Sequence, residues 1–345
     1  MFVQKNFSFK NIMAITGGHL IWLSAWALLV ASIYYFTDWK WLSIPWLPLS
    51  VIGTSVAFYV GFKNNQAYDR LWEARKIWGA IINSSRSWGS TVRSFIRTTP
   101  SSQDLTEAEL DQLKESLINR HIAWTYQLRE QLLVTTQWEH ASLSGQFGKV
   151  GQKRRKRYGK GAFDEDIPET HLKKYLSEKE FTGLTQFRNP ATRLIDQQAQ
   201  ELAAIHEKGL LNELTHIELQ KILNDFYDHQ GRAERIKKFP LPRQYGSMSF
   251  IFVCIFIFML PFGMVSEFDK LGEWGIWLSV PFCIMTGWIF VVMELIGDYS
   301  ENPFEGLEND VPMFSICRTI EIDLLQMMGK TDIPGAVEAK KGVLM

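Results

Sequence analysis

The sequence predicts an all-α membrane protein with four transmembrane helices per subunit, arranged in two pairs around a large helical cytosolic domain. The first observation is that the 37 basic and 37 acidic side chains are unevenly spread over the 345 residues. Four intervals carry no charge; they are bracketed by Lys10 and Asp38, Lys40 and Lys63, Arg243 and Glu267, and Glu273 and Glu294. Each can supply the ~20 apolar residues that a helix needs to cross a bilayer. The second observation is that most charges fall between the two pairs of intervals.

The expected membrane helices cover residues 15–36, 41–62, 248–265 and 274–293. Tryptophans lie near their ends, where amphipathic rings favour the membrane interface. Basic residues are dense directly after the second helix, and the positive-inside rule therefore places the central block in the cytoplasm. Both termini then lie inside, and we expect a multi-pass protein of the inner (plasma) membrane. The expected segments are 1–63 for the N-terminal segment and first helix pair, 64–245 for the cytosolic domain, 246–297 for the second pair and 298–345 for the C-terminal cytosolic segment.

The central block is expected to be helical. Apolar residues recur at helical spacing over 67–94, so the second membrane helix is predicted to continue into the cytoplasm without a break. A further helix over 105–133 begins with an acidic turn, and another covers 191–226 with a break near Gly209. Pro240 ends the helical pattern shortly before the third membrane helix.

A polybasic run lies in the middle of this block and comprises Lys153, Arg154, Arg155, Lys156, Arg157 and Lys160. Such a run can bind nucleic acid or anionic lipid. Glycines flank it on both sides, so a solvated loop is the favoured interpretation. The formal net charge of the chain is zero, and we expect no nucleic-acid partner.

Catalytic motifs are absent from the sequence. The segment Gly329-Lys330-Thr331 has Leu324 where a phosphate-binding loop needs its first glycine. The seven histidines form no i, i+4 pair that could hold a metal on a helix. The charge-free intervals contain none of the carboxylates or lysines that relay protons in coupled transporters. We therefore expect neither an enzyme nor a cofactor.

The second membrane helix carries Thr54, Phe58 and Phe62 at i, i+4 and i+8, which places them on one stripe. Small residues such as Gly53 and Gly61 lie between them and allow close helix packing. The stripe has two interpretations. One is a helix that packs its aromatic rings into the bundle core, which residue type alone favours. The other is a ring of identical helices whose aromatic side chains close a narrow pore, because hydrophobic constrictions gate channels by dewetting.

The segment that follows, residues 61–79, resembles the signature of the bestrophin family in its bacterial branch. The residues that carry this resemblance are Asn64, Asn65, Tyr68, Asp69, Arg70, Trp72, Glu73 and Arg75. Further resemblances follow in the family's order, namely His121-Ile122-Ala123-Trp124, Asn189-Pro190, Glu234-Arg235-Ile236 and Glu301-Asn302-Pro303-Phe304. The similarity extends from about residue 10 to about residue 325.

The resemblance implies a bestrophin-like homopentameric ion channel with one axial pore, whose partners are further copies of itself, inorganic ions and membrane lipids. It implies a neck lined by Thr54, Phe58 and Phe62, the same stripe that the periodicity singles out. Thr54 departs from the apolar residues usual in the family. The resemblance also implies a cytosolic aperture, which we place at Ile217, with Leu214 and Leu219 as alternatives.

Vertebrate bestrophins hold Ca²⁺ with an acidic run near the Asn-Pro-Phe motif. The corresponding segment here contains Asn302, Glu305, Glu308 and Asp310. Leu307 replaces one of the ligands, and Tyr299 replaces an amide. Acids that pair with basic helices are therefore the favoured interpretation, and Ca²⁺ is possible but not expected.

The resemblance therefore implies passive conduction of monovalent ions. The acids after the fourth membrane helix favour cations over anions if they lie near the axis. The alternative function is a membrane-anchored sensor or scaffold that binds a partner through the basic run.

Overall fold

The computed structural model describes residues 1–5, 9–37, 39–98, 105–163, 168–272 and 274–345. Over these residues the chain is helical apart from turns and two isolated β-bridges, which confirms the predicted all-α class. The helices are α1 (Phe9–Phe36), α2 (Trp46–Phe95), α3 (Glu107–Leu133), α4 (Gly145–Tyr158), α5 (Pro168–Tyr175), α6 (Glu178–Leu184), α7 (Pro190–Glu207), α8 (Glu213–Lys238), α9 (Arg243–Asp269), α10 (Gly275–Asp298) and α11 (Met313–Met327). The chain forms two compact units. We call residues 4–71 and 240–302 the span unit, and residues 1–3, 72–239 and 303–345 the helical unit.

The span unit contains α1, α9, α10 and the first part of α2. In the described part of the chain, four helices are long and apolar enough to cross a membrane, as the charge-free intervals predict. Their buried apolar side chains form one core, to which all four helices contribute. The second of these helices begins at Trp46 rather than near residue 41. Pro45 precedes it and Pro48 lies in its first turn, where a missing N–H is tolerated.

Glycines allow the membrane-length helices to approach one another closely. A Cβ atom added at Gly53 of α2 would lie 2.6 Å from Cε2 of Phe256 on α9. One added at Gly287 of α10 would lie 2.8 Å from Cδ2 of Leu23 on α1. Both distances are too short for real carbon contacts, so a side chain at either position would force its neighbour to move. This agrees with the packing role predicted for Gly53, whereas Gly61 is exposed and no described atom lies close to it within the chain.

Helix α2 is continuous over 50 residues, which corresponds to about 75 Å at 1.5 Å per residue. Its first part belongs to the span unit and its second part to the helical unit. The prediction that the second membrane helix continues without a break is therefore confirmed. In the helical unit, Trp78 and Trp88 of α2 are fully buried.

The helical unit is built on α3, α7, α8 and α11, with the rings of Trp124 and Phe226 in its core. A capping box formed by Thr106 and Glu109 begins α3, close to the predicted start. The predicted long helix is broken between α7 and α8, where Gly209 adopts a φ of 72°. Asn189 caps α7, so this part of the family motif fixes a helix start.

The polybasic run does not form a loop, and that part of the prediction was wrong. Most of it forms the end of α4. Arg154 pairs with Glu308, and Arg155 donates hydrogen bonds to the Leu133 carbonyl (2.8 Å) and to the Thr135 hydroxyl (2.9 Å). These contacts with distant residues, which local composition does not reveal, hold Arg154 and Arg155 in place, whereas Lys153, Lys156 and Arg157 are exposed.

Candidate functional site

The predicted neck residues lie on one exposed face of α2. The side chains of Phe58 and Phe62 are 67% and 66% exposed, and Thr54 is exposed as well. The opposite face of the helix is buried and carries Val56 and Val60. Within one chain, the stripe therefore does not pack into the bundle core, which removes the first of the two interpretations for the isolated subunit.

A buried ion pair lies directly beside this stripe in sequence. The Lys63 ammonium pairs with the Glu294 carboxylate of α10, and their side chains are 1% and 8% exposed. The Ser249 hydroxyl of α9 donates to the other carboxylate oxygen of Glu294 at 2.5 Å. Asn64 donates from Nδ2 to the Met293 carbonyl at 2.9 Å. Because a buried charge is stable only when it is paired and hydrogen-bonded, this network fixes α2 against α9 and α10.

The sequence did not lead us to predict this pair, although it contains a signal. Lys63 ends the second charge-free interval and Glu294 ends the fourth. Helices that cross a membrane alternately bring these two ends to the same membrane face. Opposite charges at one face were therefore candidates for pairing.

Other motif residues have different roles in the structure. Arg70 donates from Nε to the Glu301 carbonyl at 2.9 Å, and the Glu301 carboxylate pairs with Arg243 at 3.2 Å. Glu73 pairs with Lys76 one turn away, at 2.8 Å. The remaining motif side chains are Asn65, Tyr68, Asp69 and Trp72, which are exposed, and Arg75, which is half-buried. Arg70 of the motif thus links α2 to Glu301, which follows α10. Several other polar and aromatic side chains of the motif lie on the surface.

The post-span loop, residues 303–310, belongs to the helical unit and is almost wholly buried. Glu305 accepts from the Ala141 N–H at 3.3 Å and lies 2.9 Å from Nδ1 of His140. Glu308 pairs with Arg154 of α4. Lys237 pairs with Glu139 and also donates to the Phe304 carbonyl at 3.3 Å.

Asp310 closes a turn within the same loop. Its carboxylate accepts from the backbone N–H groups of Gly306 (2.6 Å) and Leu307 (3.1 Å). Gly306 has a φ of 81°, a conformation that other residues rarely adopt. Burial, together with the nearby charge of Glu305, raises the pKa of Asp310 to about 7.

The residues of the post-span loop do not fit the Ca²⁺ ion of the vertebrate family members. Ca²⁺ takes six to eight oxygen ligands. The carboxylates of Glu305, Glu308 and Asp310 are turned to His140, to Arg154 and to backbone N–H groups instead. Among the described residues, no group of three or more metal-ligating side chains is close enough to hold an ion.

The aperture candidates lie at the beginning of α8. Ile217 is 47% exposed and Leu214 is 76% exposed, whereas Leu219 is fully buried. A pore-lining residue must be accessible in the single chain, so Leu219 is excluded. Ile217 and Leu214 remain compatible with the prediction.

In the described part of the chain, four membrane-length helices share one apolar core and a buried ion pair fixes α2 against α10, which defines a helical membrane protein. The family profile described as Bacterial/Fungal Bestrophin protein matches residues 11–326. The chain belongs to this bestrophin family, which confirms the resemblance drawn from residues 61–79. It thereby belongs to a family of channels rather than of enzymes, as predicted.

Curated relatives and a solved structure agree with this assignment. The voltage-dependent anion channel-forming protein YneE of Escherichia coli K12 is 28% identical over 291 residues, which cover 84% of this chain and 79% of the relative. A voltage-dependent anion channel-forming protein of Mesorhizobium japonicum is 24% identical over 294 residues, or 85% and 78% of the two chains. The bacterial bestrophin homolog of Klebsiella pneumoniae superposes with a TM-score of 0.73 at 20% identity, covering 90% of this chain and 97% of that chain. The last match establishes the fold.

Proposed function

We propose that this chain is the subunit of a homopentameric anion channel of the inner (plasma) membrane, with both termini in the cytoplasm. The observation that carries the proposal is the exposed stripe of Thr54, Phe58 and Phe62 on a helix of a bestrophin-family chain. Five copies of the stripe around an axis would form stacked rings. A narrow apolar constriction opposes ion passage by dewetting and therefore acts as a gate.

Three arguments favour anion conduction over cation conduction. The curated relatives at 24–28% identity are named as anion channel-forming proteins. The sequence argument for cations relied on acids after the fourth membrane helix, but Glu301, Glu305 and Glu308 are buried beside basic partners. Those acids therefore give no reason to prefer cations. A ring edge carries partial positive charge, so Phe edges that face the pore would suit an anion.

Selectivity is tested by the reversal potential of the purified protein in a planar bilayer under a KCl gradient. We expect the current to reverse near the equilibrium potential of Cl⁻. Reversal near that of K⁺ would restore the cation preference predicted from the sequence. A preparation that conducts nothing, although the 39.9 kDa chain assembles as a pentamer in detergent, would favour the sensor or scaffold.

The proposed cytosolic aperture gives a second test, in which we expect a moderate change in anion flux. If the exposed Ile217 lines the exit from the pore, the variant Ile217→Ala should widen it and raise anion flux several-fold in liposomes. Leu219→Ala serves as the control, because a fully buried leucine costs about 2–5 kcal/mol to truncate and should lower the melting temperature without raising flux. Loss of the pentamer in Ile217→Ala would instead identify a packing residue.

Ca²⁺ is expected to have little effect on conduction. The carboxylates of the post-span loop are already occupied by His140, Arg154 and backbone donors. Single-channel open probability should therefore change by less than about twofold between chelator and micromolar Ca²⁺, since the binding of one ion needs six or more oxygens. A reversible, several-fold dependence would contradict this expectation.

A further inference from the structure

A basic cavity of about 480 Å³ lies in the helical unit beside α4, within the polybasic run that the proposed channel function leaves unexplained. Its volume falls in the range of small-molecule sites, about 300–1,000 Å³. Among the described residues, three cationic side chains contribute to its lining and no carboxylate does. The lining residues on which the inference depends are Thr135, Gln152, Arg155, Lys156 and Lys160.

Among the residues that the structure describes, two of the three cations pair with no acid. Lys160 pairs with Glu130 at 2.9 Å. Arg155 is held by neutral acceptors, the Thr135 hydroxyl and the Leu133 carbonyl, and Lys156 is exposed. Across the described ranges, neither Arg155 nor Lys156 has a carboxylate within ion-pair distance. The cavity therefore combines excess positive charge with an arginine that is already positioned.

We propose that this cavity binds a soluble small molecule that carries a phosphate group. A phosphate ester has a charge of about −1.5 to −2, which matches the two uncompensated cations. The planar guanidinium of Arg155 suits phosphate oxygens, and the hydroxyl of Thr135 and the amide of Gln152 add hydrogen-bonding groups. The cavity is much larger than a phosphate ion, so the rest of the ester would occupy the remaining volume.

The cavity shares residues with the packing of the post-span loop. The backbone N–H of Lys160 donates to the Gly306 carbonyl at 3.1 Å, and the N–H of Ala141, another lining residue, donates to Glu305. Arg155 lies so close to Gly306 that a Cβ atom added there would be 3.1 Å from its Nε. An occupied cavity would therefore stabilise the loop that directly follows the last membrane-length helix in sequence.

The test uses the full chain in nanodiscs of neutral phosphatidylcholine, titrated with inorganic pyrophosphate at constant ionic strength in a calorimeter. We expect saturable binding that weakens by about tenfold or more in Lys156→Gln, since a charge-assisted hydrogen bond to the phosphate is lost. Arg155→Gln should weaken binding at least as much. The matched control is Lys153→Gln, which removes the same charge from an exposed position on α4 outside the cavity lining and should change affinity by less than about twofold.

Three results would overturn the proposal. The first is absence of pyrophosphate binding to the folded chain. The second is an equal loss in Lys153→Gln and Lys156→Gln, which would indicate only diffuse attraction. The third is an effect of Lys156→Gln and Arg155→Gln that appears only in nanodiscs that contain phosphatidylglycerol. That result would show that these basic side chains bind lipid headgroups. None of these readouts depends on ion conduction, so the proposal stands or falls separately from the channel function.

Discussion

The double variant Phe58→Ala/Phe62→Ala is expected to keep a stable pentamer and to conduct about tenfold more current. A tenfold rise corresponds to a barrier to ion passage that is lower by about 1.4 kcal/mol. Both rings are about two-thirds exposed in the single chain, so each has little packing within the subunit to lose. In the proposed neck each ring borders the pore on one side. Their removal widens the constriction and lets water remain in it, which lowers the dewetting barrier. Single-channel recording should show a higher open probability.

Two phenylalanines of α9 serve as controls. They show how truncation affects a ring that faces lipid and a ring that is packed in the core. Phe250 is 58% exposed outside the stripe, and its truncation should leave conduction nearly unchanged if it faces lipid. Phe256 is 4% exposed and fills the core of the span unit, so Phe256→Ala should cost about 3–5 kcal/mol. Thermal melting of the same preparations distinguishes a ring in the pore, a ring that faces lipid and a ring in the core. A sharp drop in the melting temperature of the double variant, without a rise in open probability, would move the stripe from the pore to a packed subunit interface.

The number of membrane-length helices could be predicted because bilayer thickness imposes a minimum length on every charge-free interval. The ends of the helices were less predictable. Helix α9 extends over Arg243–Asp269, well beyond the predicted 248–265, because polar residues at a membrane face can continue the same helix. The long helix through residues 67–94 and the break near Gly209 were both predictable from local signals, namely helical spacing and a glycine.

The parts that could not be predicted depend on contacts between distant residues. Helix α4 contains several glycines and a run of like charges, and nothing in its composition indicates that Glu308 lies beside Arg154. The exposure of Phe58 and Phe62 also depends on which neighbours cover α2. Periodicity places the two rings on one face but does not say what that face meets.

A large effect on stability is expected at the ion pair of Lys63 and Glu294. The variant Lys63→Met leaves the Glu294 carboxylate buried, with Ser249 as its one remaining side-chain donor among the described residues. Removing one partner of a buried pair costs about 3–5 kcal/mol, because the remaining charge has lost its compensation. Glu294→Gln should destabilise the protein similarly. The measurement is the midpoint of denaturation of the full chain in detergent, followed by tryptophan fluorescence. Lys270→Met is the matched control, since its pair with Glu267 is exposed and should contribute about 0–1 kcal/mol.

The double variant Lys63→Met/Glu294→Leu distinguishes two roles of the ion pair, which are neutralisation of a buried charge and orientation of the neck. Two apolar side chains of similar size need no charge compensation, so much of the lost stability should return. Lys63 directly follows Phe62, and the pair therefore fixes the rotation of α2 that keeps the stripe on the exposed face. If the pair serves only to neutralise charge, the double variant should conduct like the original chain. If the pair is needed to orient the neck, stability should recover while open probability stays altered. A single variant Lys63→Met that melts like the original chain would contradict the buried pair itself.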